Sequence, residues 1–204
     1  MSTRKVGMLG MIILTLFLAS LASKGFAAAT VGSVNVVPSA TTVGLGQTVT
    51  VNVTISNVGA PGLFSYQLTL TYNNTLLNAT TATIPVGHFL TPAVSGNIFV
   101  VDPGTINQDS GNVTFAASLL GTEAGKTGNG TLVTVTFVGL LQGNSTLQLP
   151  DADLILIDSD VTTITGYTIN SSTVQIIPEF TVAVMLAALM ITSAAVVVLR
   201  KRQK

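Results

Sequence analysis

The chain has 204 residues, of which 48% are hydrophobic, and its eight basic and eight acidic residues give a formal net charge of +0. It contains no cysteine, which excludes disulfides and cysteine-based zinc or iron–sulfur sites. Seven basic residues lie near the two ends, so residues 30–177 hold one lysine against seven acidic residues, a formal charge of −6. Such a region is not expected to bind nucleic acid, because phosphate contacts need clustered Lys and Arg.

The first 29 residues have the pattern of a secretory signal peptide. Two basic residues precede an apolar stretch from Val6 to about Ala22, and Ala27–Ala29 form a small-residue cleavage site. We therefore predict a signal peptide over residues 1–29 and a mature chain that begins near Thr30. An uncleaved N-terminal anchor is the alternative.

Residues 30–177 carry the alternating patterns of a single all-β domain. In Thr48–Ile55, Val or Ile alternates with Thr or Asn, and the same parity recurs in Phe64–Tyr72 and Asn112–Leu119. Turn residues such as Asp102-Pro103-Gly104 separate the segments, and no helical periodicity exceeds a turn or two. The pattern indicates an antiparallel jelly-roll β-sandwich of about nine strands. The other predicted strands are residues 31–37, 97–101, 131–140, 146–149, 154–157 (an apolar run expected to be buried on both faces) and 167–177.

Seven N-x-[ST] sequons in the same domain mark candidate glycosylation sites. The alternation places Asn52 and Asn112 on outward faces, where a glycan acceptor must lie. Strands rich in Asn and Thr also produce this short motif by chance, so both explanations stay open. The seven acceptors are Asn52, Asn73, Asn78, Asn112, Asn129, Asn144 and Asn170.

The residues give no pattern for catalysis. His88 is the single histidine and has no nucleophile or base motif beside it, so we assign it to a turn that packs near Phe89. Two pairs of aspartates, Asp151 with Asp153 and Asp158 with Asp160, carry the oxygen ligands that calcium prefers, but their spacing is not that of an EF-hand. The pairs could also be the two acids of a glycosidase or solvated residues at strand ends. We therefore expect no enzymatic activity and no cofactor, with calcium as the alternative at Asp151, Asp153, Asp158 and Asp160.

The C-terminal end has the length of a membrane-spanning helix. As a helix, the apolar run from Phe180 to Leu199 would extend about 30 Å, the thickness of the hydrocarbon core of a bilayer. Four basic residues follow this run. The positive-inside rule places them in the cytoplasm and the β domain on the extracellular face of the cell membrane, held by a transmembrane helix over residues 180–199.

Two segments of the β domain resemble the halves of a cohesin module. They are residues 46–90, GQTVTVNVTISNVGAPGLFSYQLTLTYNNTLLNATTATIPVGHFL, and residues 111–149, GNVTFAASLLGTEAGKTGNGTLVTVTFVGLLQGNSTLQL. Tyr72-Asn73-Asn74 departs from the usual Tyr-Asp-Pro of cohesins. The resemblance implies a nine-stranded jelly roll that binds a dockerin-type protein, as in polysaccharide-degrading assemblies. The related cellulose-binding modules suggest the alternative of a carbohydrate-binding or structural glycoprotein of the cell envelope.

The tail is similar to a second known pattern. Pro178-Glu179-Phe180, followed by the apolar run and the basic end, resembles the archaeal PEF-type sorting signals that an archaeosortase recognises. The resemblance implies that residues 178–204 form a temporary anchor. A permanent single-pass anchor is the alternative.

Overall fold

The computed structural model describes residues 28–178 and residues 189–190. The predicted signal peptide, apart from residues 28–29, and the predicted transmembrane helix, apart from residues 189–190, lie outside the described residues, as do Glu179 and Phe180 of the sorting motif. Within the described ranges, no helix is both long and apolar enough to cross a membrane.

Eleven strands and one short 3-10 helix, Asp151–Asp153, make up the regular structure of residues 28–178. The strands are β1 (Ser33–Pro38), β2 (Thr42–Gly44), β3 (Thr48–Thr71), β4 (Leu77–Thr83), β5 (Ile98–Asn107), β6 (Asn112–Leu119), β7 (Lys126–Gly139), β8 (Gly143–Leu147), β9 (Ile155–Asp158), β10 (Thr168–Asn170) and β11 (Ser172–Ile177).

The 24-residue strand β3 belongs to both layers of the fold. Its first half, residues 48–58, pairs with β1 and β7, whereas residues 63–71 pair with β6 and β9. The pairing register shifts between Val58 and Leu63, where the strand passes from one layer to the other. Gly62 lies at this crossing with a φ of 98°, and a Cβ there would come within 2.5 Å of the Gly125 backbone. Both the left-handed backbone and the close approach therefore require glycine.

The strands form a β-sandwich of two main layers and a small third sheet. The first layer has the order β10-β1-β3-β7-β4, and the second has the order β9-β3-β6-β5. The third sheet has the order β2-β11-β8. Most neighbours are antiparallel, but β1 pairs with β10 and β2 with β11 in parallel, so the prediction of a purely antiparallel fold is wrong for these short pairs.

The core lies between the layers and consists of the inward residues of the alternating strands. Val49, Val51, Val53 and Ile55 of β3 are buried, as their spacing predicts. Aromatic residues also connect the two layers. The Tyr66 hydroxyl donates a hydrogen bond to the Leu132 carbonyl oxygen at 3.3 Å, and the Tyr72 and Phe137 rings meet edge to face at 4.9 Å. These contacts hold the two halves of β3 in opposed layers.

The sandwich is confirmed, but five details of the sequence prediction differ. The predicted strands Thr48–Ile55 and Phe64–Tyr72 belong to one strand, β3, and the structure has two unpredicted strands, β2 and β4. Residues 167–177 divide into β10 and β11, so eleven strands take the place of about nine. Asp102-Pro103-Gly104 lies inside β5 as an irregularity and does not form a turn. The prediction that residues 154–157 are buried on both faces is wrong, because Ile155 pairs with Gln67 on the outer side of the layer and is 40% exposed.

A substitution in β6 tests the position of the core. Replacing Phe115, which is fully buried, by Ala should lower the free energy of unfolding by about 3–5 kcal/mol, because the lost ring leaves a cavity. The matched control is Phe99→Ala in β5, whose ring is 57% exposed and whose loss should cost about 0.5 kcal/mol. Urea denaturation of the purified protein measures both values. Equal losses would contradict the assignment of inward and outward faces.

Candidate functional site

The outer side of the second layer forms a continuous surface across four strands, which we call the open face. The pairing register of β9, β3, β6 and β5 aligns its outward residues in rows across the sheet. From one end to the other, the rows are Ile157–Ser65–Ser118–Phe99, Ile155–Gln67–Ala116–Asp102, Thr69–Thr114–Thr105 and Thr71–Asn112–Asn107.

One end of the open face is apolar. Phe99 is 57% exposed and Val101 is 63% exposed on β5, and Ile155 is exposed on β9 at the opposite edge. Between them the small side chain of Ala116 leaves a shallow depression of about 240 Å³. Large apolar side chains that share a surface indicate a binding site more strongly than scattered ones do. The residues that line the depression are Ser65, Tyr66, Gln67, Val101, Ala116, Ala117, Ile155 and Ile157.

Asp102 fixes the shape of β5 beside this depression. Its Oδ1 accepts hydrogen bonds from the Gly104 and Thr105 backbone N–H groups at 3.0 and 2.9 Å, and its Oδ2 accepts one from the Thr114 hydroxyl at 2.5 Å. Partial burial alone would raise the pKa of Asp102, but these hydrogen bonds outweigh it and lower the pKa. The charged carboxylate therefore holds together the irregular segment that contains Val101.

The outer side of the first layer has a different chemistry. Its outward positions on β3 and β7 are mostly Thr and Asn, and the Thr134 hydroxyl donates a hydrogen bond to Asn52 Oδ1 at 2.8 Å. Val37 of β1, 45% exposed, is a single apolar residue beside them. The two sides of the sandwich thus differ, because only the open face combines exposed apolar residues from several strands with a depression.

Glu123 organises the loop that precedes β5. Its carboxylate accepts hydrogen bonds from the Ala93 and Val94 N–H groups at 2.9 and 3.0 Å and from the Asn97 side-chain amide at 3.1 Å. Lys126 Nζ lies 3.7 Å away. The two backbone N–H groups, the Asn97 amide and the lysine charge lower the pKa of Glu123. No local sequence pattern predicts this role of Glu123, because Ala93 and Val94 lie 30 and 29 residues before it in the chain.

Comparison with known proteins identifies the fold family. The cohesin domain model matches residues 34–176, which is more than half of the chain. The chain belongs to the cohesin family. A search of curated protein sequences returned no match.

Solved cohesin structures resemble this cohesin closely enough to establish its fold. A type II cohesin domain from the cellulosome of Acetivibrio cellulolyticus is 20% identical with a TM-score of 0.58, and the match covers 71% of this chain and 95% of that one. A type I cohesin–dockerin complex from Clostridium thermocellum is 16% identical with a TM-score of 0.58, covering 77% and 100%. A type II cohesin–X-dockerin complex from Acetivibrio cellulolyticus is 17% identical with a TM-score of 0.56, covering 74% and 99%.

The four candidate calcium ligands of this cohesin do not come together as one group. Asp151 and Asp153 lie exposed in the 3-10 helix, Asp160 is exposed in the turn after β9, and Asp158 is fully buried. Among the described residues, no group of three or more His, Cys, Asp or Glu side chains could hold a metal ion. Calcium binding stays a prediction.

The seven sequons occupy several environments. Asn73, Asn129, Asn144 and Asn170 are exposed, whereas the other three are half-buried. Asn52 lies on the outer side of the first layer and Asn112 on the open face, four residues from Ala116 along β6. The side chain of Asn78 accepts a hydrogen bond from Gln108. Glycosylation stays a prediction at each site.

His88 lies in the turn segment between β4 and β5, as predicted. Its carbonyl oxygen accepts a hydrogen bond from the Thr91 hydroxyl at 2.6 Å, and Nδ1 of its ring is buried without a hydrogen-bond partner. Burial lowers the pKa of the ring, which favours the neutral form. The contacts of His88 are those of a turn residue.

The contacts of Glu123 predict a pH-dependent loop. Because folding lowers the pKa of this carboxyl group, its stabilising effect is complete above the ordinary value of 4.5 and is lost as the pH falls through the lower folded value. The protection factors of the Ala93 and Val94 amides, which correct for the intrinsic slowing of hydrogen exchange in acid, should therefore fall as the pH is lowered. Glu123→Gln should show faster exchange already at neutral pH.

The exposed residue Asp109 provides the matched control, Asp109→Asn. This variant should exchange at the Ala93 and Val94 amides like the unaltered protein at every pH. Equal exchange in Glu123→Gln and in the unaltered protein at neutral pH would contradict the role given to Glu123.

Proposed function

We propose that this cohesin is a non-catalytic module that binds a dockerin-type domain of another extracellular protein through the open face. The observation that carries the proposal is the group of exposed apolar residues on this face, Phe99, Val101 and Ile155, of which Val101 and Ile155 line the depression at Ala116. Two of the similar cohesin structures are complexes with dockerins, which supports this class of partner.

The open face has the composition of a protein-binding site. Protein-binding surfaces combine exposed apolar side chains with hydrogen-bonding groups. Here the apolar residues lie on the two edge strands, β5 and β9, and Ser65, Gln67 and Ser118 between them offer hydrogen-bonding groups in fixed rows. Because all of them lie on paired strands, a partner can dock with little rearrangement.

The charge of the domain favours a partner with basic residues. Residues 30–177 carry a formal charge of −6, and the lysine among them, Lys126, is already paired with Glu123. Opposite charge on a partner accelerates association and disfavours acidic competitors. A dockerin with Lys or Arg around an apolar contact residue is therefore the best match.

The alternative of carbohydrate binding has weaker support. Binding of polysaccharides usually relies on several flat aromatic side chains, and within residues 28–178 Phe99 is the one largely exposed aromatic residue. Tyr66 and Tyr72 are buried. A structural role as a glycoprotein of the envelope rests on the seven sequons alone.

The proposed setting is the outer surface of the cell, in assemblies that degrade polysaccharide. It is supported by the signal-peptide pattern, the apolar run over residues 180–199 and the sequons. Pro178-Glu179-Phe180 supports an archaeal sorting signal, after whose cleavage another attachment would hold the module.

Substitution of an apolar residue that lines the depression tests the proposed surface. Val101→Asp introduces a charge into the apolar end of the open face and should weaken dockerin binding by roughly 30-fold or more, the size of effect expected for a residue that carries much of the binding free energy. Isothermal titration calorimetry against a panel of type I and type II dockerin modules measures the effect.

Val37→Asp is the matched control, because Val37 is also an exposed strand valine but lies in the first layer. It should leave the dissociation constant unchanged. Binding lost in Val37→Asp and kept in Val101→Asp would overturn the choice of face. Failure of the unaltered protein to bind any module of the panel would overturn the dockerin proposal.

A further inference from the structure

The buried carboxylate of Asp158 is held by backbone N–H groups from two parts of the chain. Its Oδ1 accepts hydrogen bonds from the Asp160 and Thr162 N–H groups at 2.9 and 2.8 Å, within its own turn. Its Oδ2 accepts one from the Ala29 N–H at 3.0 Å, across 129 residues of sequence. Asp158 is fully buried. The one basic residue of residues 30–177, Lys126, is paired with Glu123 at 3.7 Å, so within residues 28–178 the charge of Asp158 is balanced by hydrogen bonds alone. A buried charge depends on each such donor, so the Ala29 contact is important to the fold.

Ala29 also packs into the core. Ala29 is 3% exposed and Val31 6%, whereas Thr30 between them is exposed. The carbonyl oxygen of Thr30 accepts a hydrogen bond from Gly59 N–H at 2.8 Å, and Gly32 N–H donates one to the Ser56 carbonyl oxygen at 3.0 Å. Residues 29–32 thus continue the line of β1 along β3. Among residues 28–178, Ala29 is the first that belongs to the core.

These contacts bear on where a signal peptidase cuts. Cleavage after Ala29, which leaves a mature chain beginning at Thr30, would remove both a core residue and the donor to Asp158 Oδ2. A signal peptidase requires small residues at the first and third positions before the bond that it cuts. In Gly25-Phe26-Ala27, Ala27 and Gly25 occupy these positions for a cut after Ala27, two residues before the cut after Ala29. Cleavage after Ala28 would instead place the large Phe26 at the third position.

We infer that the signal peptide is removed at the Ala27–Ala28 bond, and that Ala29 stays on the mature chain as the partner of Asp158. Water is consumed as the peptide bond breaks, which leaves a carboxylate on Ala27 and an ammonium group on Ala28. This inference rests on the secretion that is part of the proposed function.

The retained residues also connect processing with the open face. Asp158 ends β9 and directly follows Ile157, which lines the depression. The Ala29 contact therefore holds the end of the edge strand that carries Ile155 and Ile157. A mature chain without Ala29 would keep this strand through its pairing with β3 and its contacts with residues 162–164, but would lose the contact that joins it to the start of the domain.

N-terminal sequencing of the protein, expressed as the full chain in a secreting host and purified from its membrane fraction, tests the inference. The expected first residue is Ala28. A first residue of Thr30 would overturn the inference and leave secretion intact. A chain that still begins at Met1 would overturn the inference, and if protease added to intact cells leaves that chain uncut, the proposed secretion falls with it.

A substitution ahead of the domain provides a second test that cannot affect its core. Gly25→Gln places a large residue at the third position before the inferred cut and should cause loss of the Ala28 N-terminus, seen either as accumulated precursor or as a shift of the first residue to Thr30. Lys24→Gln is the matched control and should be processed like the unaltered chain. An unchanged Ala28 N-terminus, or a Thr30 N-terminus in both the variant and the unaltered chain, would overturn the assignment.

The contact itself is tested by Asp158→Asn in the mature protein. This variant should lose roughly 4 °C or more in melting temperature, because Ala29 and the turn would lose a charged acceptor. Asp160→Asn is the control, since its side chain is exposed. Equal melting temperatures for Asp158→Asn and the unaltered protein would contradict the role of the Ala29 contact.

Discussion

The fold depends on one strand that belongs to two layers. Thr48–Thr71 is a single 24-residue strand, and its passage through Gly62 turns the chain from the layer of β1 and β7 to the layer of β6 and β9. Since both halves keep the period-two alternation, each layer has an inward face that is apolar and buried. The position of this crossing therefore decides which residues of β6 and β9 reach the core and which reach the open face.

The proposed function follows from the difference between the two outer sides of the sandwich. The first layer presents Thr and Asn, which water solvates well, whereas the open face presents Phe99, Val101 and Ile155 around a small residue. Exposed apolar residues in rigid strands cost solubility unless a partner covers them. Two buried or half-buried carboxylates hold the β5 side of this surface in place, Asp102 inside the strand and Glu123 through the preceding loop.

The sequence was most informative where one side of a strand is core and the other solvent. Alternation predicted both halves of β3 and the bounds of β6, because burial on one face leaves a direct trace in residue type. It could not predict β4, Leu77–Thr83, whose polar residues form a strand only because β7 offers an edge to pair with. The exposure of Ile155 depends on the register of β9 against β3, which places this residue on the outer side of the layer, and the buried carboxylate of Asp158 accepts a hydrogen bond from a residue 129 positions away. Such facts come from tertiary pairing and leave no local pattern.

Mapping of the dockerin contact surface by hydrogen–deuterium exchange decides which outer side of the sandwich binds, because it reports every strand at once. On addition of a dockerin module that binds, exchange should slow in β5 and β9, the strands that carry Phe99, Val101 and Ile155. Exchange in β4 and β1 of the first layer should stay unchanged. Protection confined to β4 and β1, with β5 and β9 unaffected, would contradict dockerin binding through the open face.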